Sequence, residues 1–209
     1  MLKKVLLCLL VAWSLLVSGF AFADAPHEIA GFAVGGNIAD YQDRLQMDTA
    51  LPVRHMESIY QVEVRPPDGF KSGLITYGNC LDSGRILKVS MKYASSRKDF
   101  FDRLLARLKE KFGGPAEWRG DPFHVYEAWK WSFTDKENNR ISMILQHYPY
   151  DADDDEYKKG NSIKLSMPGL IEKEQQCWER KHPGAAGEGE TGPEAVVPDD
   201  ADFDRFIPK

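Results

Sequence analysis

Three groups of residues in this 209-residue chain have types and spacing that could do chemistry. Asp151, Asp153 and Asp155 alternate within the run Asp151-Ala152-Asp153-Asp154-Asp155-Glu156, as oxygen ligands do in a calcium loop. A complete loop of that kind needs glycine at its sixth position and a bidentate glutamate at its twelfth, and these positions hold Glu156 and Ser162. The run therefore reads as a solvated hairpin loop, with a weak, partly hydrated calcium site as the alternative. His124 ends the stretch Arg119-Gly120-Asp121-Pro122-Phe123-His124, with Glu127 nearby. Arg119, Asp121, His124 and Glu127 could line a polar recognition pocket, against the simpler reading of polar residues gathered in a loop. The third group is aromatic. Trp129, Trp131 and Phe133 alternate along a strand-like segment, preceded by Trp118, Phe123 and Tyr126. Facing a helix they are core; facing outward they form a patch suited to a protein, peptide or glycan.

The familiar catalytic signatures are missing. There is no Gly-x-Ser-x-Gly elbow, phosphate loop or dinucleotide fingerprint. Among His27, His55, His124, His147 and His182, no two have the i, i+4 spacing of a zinc helix. The Arg119-Gly120-Asp121 triplet is too short to carry an adhesion role. No enzyme, cofactor or metal is expected.

The N-terminus has the three parts of an export signal. Lys3 and Lys4 precede an apolar run from Val5 to Val17, Ser18-Gly19 breaks it, and Ala21-Phe22-Ala23 supplies small residues for cleavage near Ala23. The run is shorter than the roughly 20 residues that span a bilayer, so a cleaved signal over 1–23 is expected rather than an anchor. Cys8 lies too early to accept a lipid. Without Lys3 and Lys4 the chain has 25 bases against 32 acids. Seven of those acids and two of the bases lie beyond residue 183, so the intervening domain is nearly neutral and offers nucleic acid no footprint. Localisation is expected to be periplasmic or secreted. There Cys80 and Cys177 are expected to pair, and no Cys-x-x-Cys spacing supports a redox role.

A single α+β domain over 24–183 is expected to present these groups, followed by a disordered acidic tail over 184–209. Asn37 is placed to cap a short helix carrying Ile38, Tyr41 and Leu45, ended by Leu51-Pro52. Strands are expected at Ser58–Arg65, Phe70–Cys80 and Arg85–Tyr93, the last alternating Leu87, Val89, Met91 and Tyr93 against Ile86, Lys88, Ser90 and Lys92. A helix then carries Phe100, Phe101, Leu104, Leu105, Leu108 and Phe112 in one stripe. Ser96 and Asp99 resemble a capping box, and Gly113-Gly114-Pro115 stops the helix. Strands at Glu127–Thr134, Arg140–Tyr148 and Ser162–Met167 and a short C-terminal helix from Leu170 to Lys181 complete the domain. The expected fold is one antiparallel sheet of about six strands with two main helices on one face. Its element order also hints at duplication of a helix–three-strand unit.

Gly31-Phe32-x-x-Gly35 before a short helix, then a helix ending Phe112-Gly113-x-Pro115 and the strand Trp129-x-Trp131, resembles two kinds of small periplasmic helix-plus-sheet module. These are the outer-membrane-assembly lipoproteins and the secreted β-lactamase inhibitors. The lipoproteins' acceptor cysteine has no counterpart here. The resemblance implies a binding module without catalysis and transfers no functional residue.

The sequence thus points to an exported, non-enzymatic module that docks an envelope protein through its open sheet face or its tail, where Phe203, Phe206 and Ile207 could form a docking motif. The alternative is a carrier or sensor of a small apolar or glycan ligand; an enzyme comes third. Docking predicts an exposed aromatic patch and no deep cavity. A carrier predicts an apolar cavity of roughly 300 Å³ or more, and an enzyme predicts a cleft with titratable groups converging near His124.

Overall fold

The computed structural model describes residues 24–115, 117–123, 126–149 and 160–183. The export segment, the acidic loop Asp151–Glu156, His124 and the acidic tail lie outside them.

The expected six-stranded sheet with two main helices on one face is overturned. Strands β3 (Leu45–Val53), β4 (Met56–Val64), β5 (Phe70–Gly78), β6 (Arg85–Tyr93), β7 (Glu117–Trp118), β8 (Glu127–Thr134), β9 (Arg140–Tyr148) and β10 (Gly160–Ser166) form one eight-stranded antiparallel sheet. Its spatial order is β3-β4-β5-β6-β10-β9-β8-β7. Strands β1 (Glu28–Ile29) and β2 (Phe32–Ala33) make a separate two-stranded hairpin. The segment after Asn37 is a 3₁₀ helix, Ile38–Arg44, none of whose residues is buried. The two α-helices are α1 (Lys98–Phe112) and α2 (Pro168–Lys181), and the C-terminal one is nearly as long as the other.

The repeat is larger than the element order had implied. Each half is a helical segment followed by a four-stranded meander, β3–β6 and β7–β10, and the halves join where β6 pairs antiparallel with β10. The two missed strands are the two edges of the sheet. β3 has one neighbour, exposes Met47, Asp48, Leu51 and Pro52, and tolerates Pro52 because an edge strand need not donate on both sides. β7 is two residues long.

Strand alternation sorts the sheet into an apolar and a polar face. The apolar face carries Val62 and Val64, Ile75, Val89 and Met91, Ile163 and Leu165, Met143 and Leu145, and Trp131, all buried. Phe32 and Val34 from the N-terminal hairpin pack into the same core, as does Phe101 of α1, flanked by Leu104, Leu105, Leu108 and Phe112. The stripe expected on this helix is therefore its buried face. Burial of side chains of this size contributes roughly 1.5–3 kcal/mol each, which makes this face the main source of stability.

Side-chain hydrogen bonds fix how α1 sits. The residue before it is Arg97, and no side chain caps the helix, so the expected Ser96–Asp99 box does not form; Asp99 pairs with Arg97 instead. Asn161 of β10 reaches across, its Nδ2 donating to the carbonyls of Ser95 and Arg97 at 2.9 Å each. Its Oδ1 is 2.7 Å from His147 Nδ1, which must carry the proton because Asn161 Oδ1 can only accept. At the other end, Trp131 Nε1 donates to the Gly113 carbonyl at 3.0 Å. Asn37 does cap its segment, accepting from Ala39 N–H at 3.0 Å.

Cys80 and Cys177 are joined by a disulfide that ties the end of the β5 meander to α2. Beside it, Glu174 is buried, and its carboxylate accepts from the backbone N–H groups of Cys80 and Leu81. A Cβ on Gly78 would lie 2.5 Å from the Glu174 carboxyl carbon, so only glycine leaves that carboxylate room. An intramolecular disulfide fits an exported chain in an oxidising compartment.

Candidate functional site

On the polar face, α2 packs over one end, where Glu174 lies against Gly78 of β5 beside the Cys80–Cys177 bridge, and the remainder of that face is left without a helix among the described residues. Across its centre, Lys88, Ser90 and Lys92 of β6 lie beside Ser166, Lys164 and Ser162 of β10, residue against residue. Thr76, Leu74 and Ser72 of β5 continue the same face on one side, and Gln146, Ile144 and Ser142 of β9 on the other. These are the alternate positions of strands whose intervening residues form the core.

This face is concave. Gln46 of β3 and Tyr126, at the entry to β8, line one cleft of about 920 Å³. Six strand spacings separate β3 from β8, about 29 Å on a flat sheet. Residues that far apart border one cleft because the twisted sheet curls. Lys71, Ser72, Leu74, Ser90, Lys92, Ser162 and Lys164 supply the floor, with Gln146 and Tyr148 from β9. Glu63 and Asp121 add a carboxylate toward each rim.

The floor is cationic. Lys164 makes no hydrogen bond or ion pair among the described residues, and the same holds for Lys88 beside it. Burial lowers the pKa of Lys88 below the ordinary lysine value. Burial, and then the charge of Lys88, lower that of Lys164. Outward along the face, Lys130 is 3.5 Å from Glu117, which also holds Arg119 at 2.7 Å. Arg119 first, then Lys130, keeps the Glu117 carboxyl below its usual range.

The aromatic residues singled out in the sequence separate into three environments. Trp131 is core, and Trp129 is half-buried with Lys109 of α1 over its ring at 4.9 Å. Trp118 stacks edge-on against Trp129, 4.8 Å between centroids, and remains 37 % exposed. Tyr126 turns to the cleft, its hydroxyl accepting from Gln146 Nε2. Phe123 is 87 % exposed. So the expected patch is not one surface: Trp129 and Trp131 belong to the core side of the sheet and Tyr126 to the cleft, while Phe123 is exposed two residues from Asp121, which lines the cleft.

The described part of the loop bearing Phe123, residues 119–123, is held by hydrogen bonds. Arg119 N–H donates to the Ala128 carbonyl at 2.8 Å and Asp121 N–H to that of Tyr126 at 3.0 Å, extending the β7–β8 hairpin. Asp121 Oδ1 accepts from Phe123 N–H at 2.7 Å, the Asx turn that points the chain outward at that residue. A Cβ on Gly120 would lie 2.1 Å from the Trp118 ring, so glycine is required where the chain passes over it.

Comparisons with protein-family models, curated proteins and solved structures find no match.

The polar quartet expected around His124 is only partly placed. Asp121 lines the cleft, Arg119 pairs with Glu117, and Glu127 pairs with Lys98 of α1 at 3.2 Å, on the opposite face. They do not converge. Among the described residues, no group of three or more His, Cys, Asp or Glu side chains could hold a metal ion; the Asp151, Asp153 and Asp155 candidates lie outside them. No helix among the described residues is long and apolar enough to cross a membrane. Sequence reasoning missed the cleft itself. Its signal was present in the alternation Lys88-x-Ser90-x-Lys92 and Ser162-x-Lys164-x-Ser166, too polar to be an idle half of two central strands.

Proposed function

We propose that the protein is a non-catalytic binding module of the cell envelope, and that it holds a protein partner in the concave polar face of its sheet. The observation that supports this most is the joint construction of the cleft: both meanders and the Phe123 loop contribute to one surface of about 920 Å³. Polar positions on the innermost strands of a two-layer domain have little structural purpose, since an apolar sheet face could be capped by a further layer. An exposed aromatic two residues from a cleft-lining carboxylate is the arrangement of an interface anchor and its surroundings. The absence of catalysis is part of the proposal: Lys88 and Lys164 have no serine, histidine or carboxylate partner within hydrogen-bonding distance among the described residues. The periplasm is the compartment we infer, and the resemblance to periplasmic helix-plus-sheet modules agrees with a binding role.

A second reading, a carrier of a small ligand, is favoured by the cleft's volume, which lies in the range of small-molecule sites. Val64, Pro66, Leu74, Tyr126 and Tyr148 also give the lining apolar surface, which suits such a ligand.

Capture from the envelope fraction separates the two readings. The mature protein is expected to retain a protein partner that Ser90→Trp, which fills the cleft, no longer retains at unchanged Tm. Retention by both proteins would refute binding in the cleft, and co-purification of a small molecule alone would favour the carrier.

A further inference from the structure

The position of the lysines at the cleft carries a more specific conclusion, which rests on the cleft being the binding surface. We propose that Lys164 and Lys88, with Lys92 beside them, form an anion-recognition strip that receives the carboxylates of an acidic peptide segment of the partner.

The strip runs along the seam between the two halves. Lys88 stands opposite Ser166, and Lys164 opposite Ser90, so the two lysines are diagonal neighbours on paired strands; Lys92, opposite Ser162, is the next diagonal neighbour of Lys164. Like charges on adjacent positions of a sheet cost stability, and nothing among the described residues offsets Lys88 or Lys164 with a carboxylate. A fold that needed only solubility would carry those charges at its edges, where water screens them. Lys164 lies on the cleft floor and Lys88 just beyond the lining beside it, both partly desolvated, so a carboxylate delivered there gains more than it would at an exposed site.

The neighbours of the strip select the kind of anion. Ser72, Ser90, Ser162, Gln46 and Gln146 surround the lysines with donors and acceptors that suit peptide amides and polar side chains. Val64, Pro66, Leu74, Tyr126 and Tyr148 add apolar surface beside them, which suits the aliphatic parts of a peptide. Glu63 and Asp121, near opposite rims, repel acidic residues that overshoot the lysines, so the cleft favours a short acidic run lying across β6 and β10.

The test uses the mature protein and a fluorescein-labelled hexaglutamate peptide, read by anisotropy. Binding is expected, weakening with added salt. Lys88→Gln/Lys164→Gln is expected to weaken it at least tenfold, and Lys164→Arg to retain it. No binding by the wild type, or equal binding by the double glutamine variant, would overturn the proposal. Tighter lysine-dependent binding of inorganic phosphate, or of vesicles containing phosphatidylglycerol, would overturn the peptide assignment in favour of those anions. Partner capture distinguishes this failure from failure of the cleft reading. Loss with Ser90→Trp but not with the double glutamine variant refutes the lysine strip alone; loss with neither refutes both.

Discussion

Lys88 of β6 and Lys164 of β10 are diagonal neighbours on the two strands that join the halves of the sheet, and neither has a hydrogen-bonding or ion-pair partner among the described residues. Two cations are thus held together at the seam of the molecule, on the face that the core does not use.

This arrangement costs stability in the unliganded protein, and the sign of its pH dependence follows. Both lysines have pKa values lowered from 10.5 in the folded chain, so between the lowered values and 10.5 the unfolded chain binds more protons. Stability rises with pH across that window, and the penalty is fully present below it. Lys164→Gln is therefore expected to stabilise the free domain at neutral pH by about 0.5 kcal/mol, a figure reduced for the solvent that reaches both side chains. It should also flatten the alkaline rise in urea-denaturation midpoints. A substitution that stabilises the fold yet weakens binding marks a residue kept for its function.

Phe123 is expected to matter to the partner and not to the fold. With 87 % of its surface exposed, Phe123→Ser should leave Tm within about a degree, because it removes almost no buried area. Partner affinity should fall by about 2 kcal/mol, as for an interface anchor. Calorimetry and partner titration on the same preparation check both halves of this statement.

Asn161 is expected to be a stability residue. Asn161→Ala leaves the Ser95 and Arg97 carbonyls and His147 Nδ1 without their partner, at a cost of about 1–3 kcal/mol. Urea unfolding should show a lower midpoint with little change in slope, and amides in the first turn of α1 should exchange faster.

Reduction of the disulfide is expected to be costly. The bridge spans 97 residues, for which the chain-entropy treatment gives about 4–5 kcal/mol as an upper figure. Cys80→Ser/Cys177→Ser should lose about 2–5 kcal/mol. The loss should be larger if Glu174 then releases the backbone of Cys80 and Leu81, and equilibrium unfolding with and without reductant measures it.

How much of this was legible in the sequence depended on whether a residue's neighbours in space were also its neighbours along the chain. The α1 stripe from Phe100 to Phe112, the alternation of β8 and β9 and that of β6 from Lys88 onward are local, and the structure keeps them; at the start of β6 a bulge at Leu87 turns Ile86, expected on the polar side, into the core. The Cys80–Cys177 bridge followed from counting thiols in an exported chain. β3 was hidden because an edge strand with Pro52 and Asp48 need bury little, so its periodicity is weak. The segment after Asn37 has helical spacing but lies as an exposed 3₁₀ turn, since Ile38 and Tyr41 rest on the rim of the core rather than inside it.

The candidate site was half legible for the same reason. Lys88, Ser90 and Lys92 were readable as the polar side of one strand, but nothing periodic states that β10 pairs with β6 and brings Lys164 beside them. The curl that turns a polar face into a cleft is likewise a property of the assembled sheet. In contrast, the alternation of Trp129, Trp131 and Phe133 was plain in the sequence and marked the core side.

Site-specific photo-crosslinking in the native envelope tests the central claim most directly. A photoreactive residue replacing Leu74, on the cleft floor, is compared with one replacing Arg107, on the exposed side of α1. A discrete adduct to one protein from position 74, absent from position 107 and lost with Ser90→Trp, is the expected result. An adduct from position 107 but none from position 74 would contradict the account and move the binding surface to the helical side of the domain.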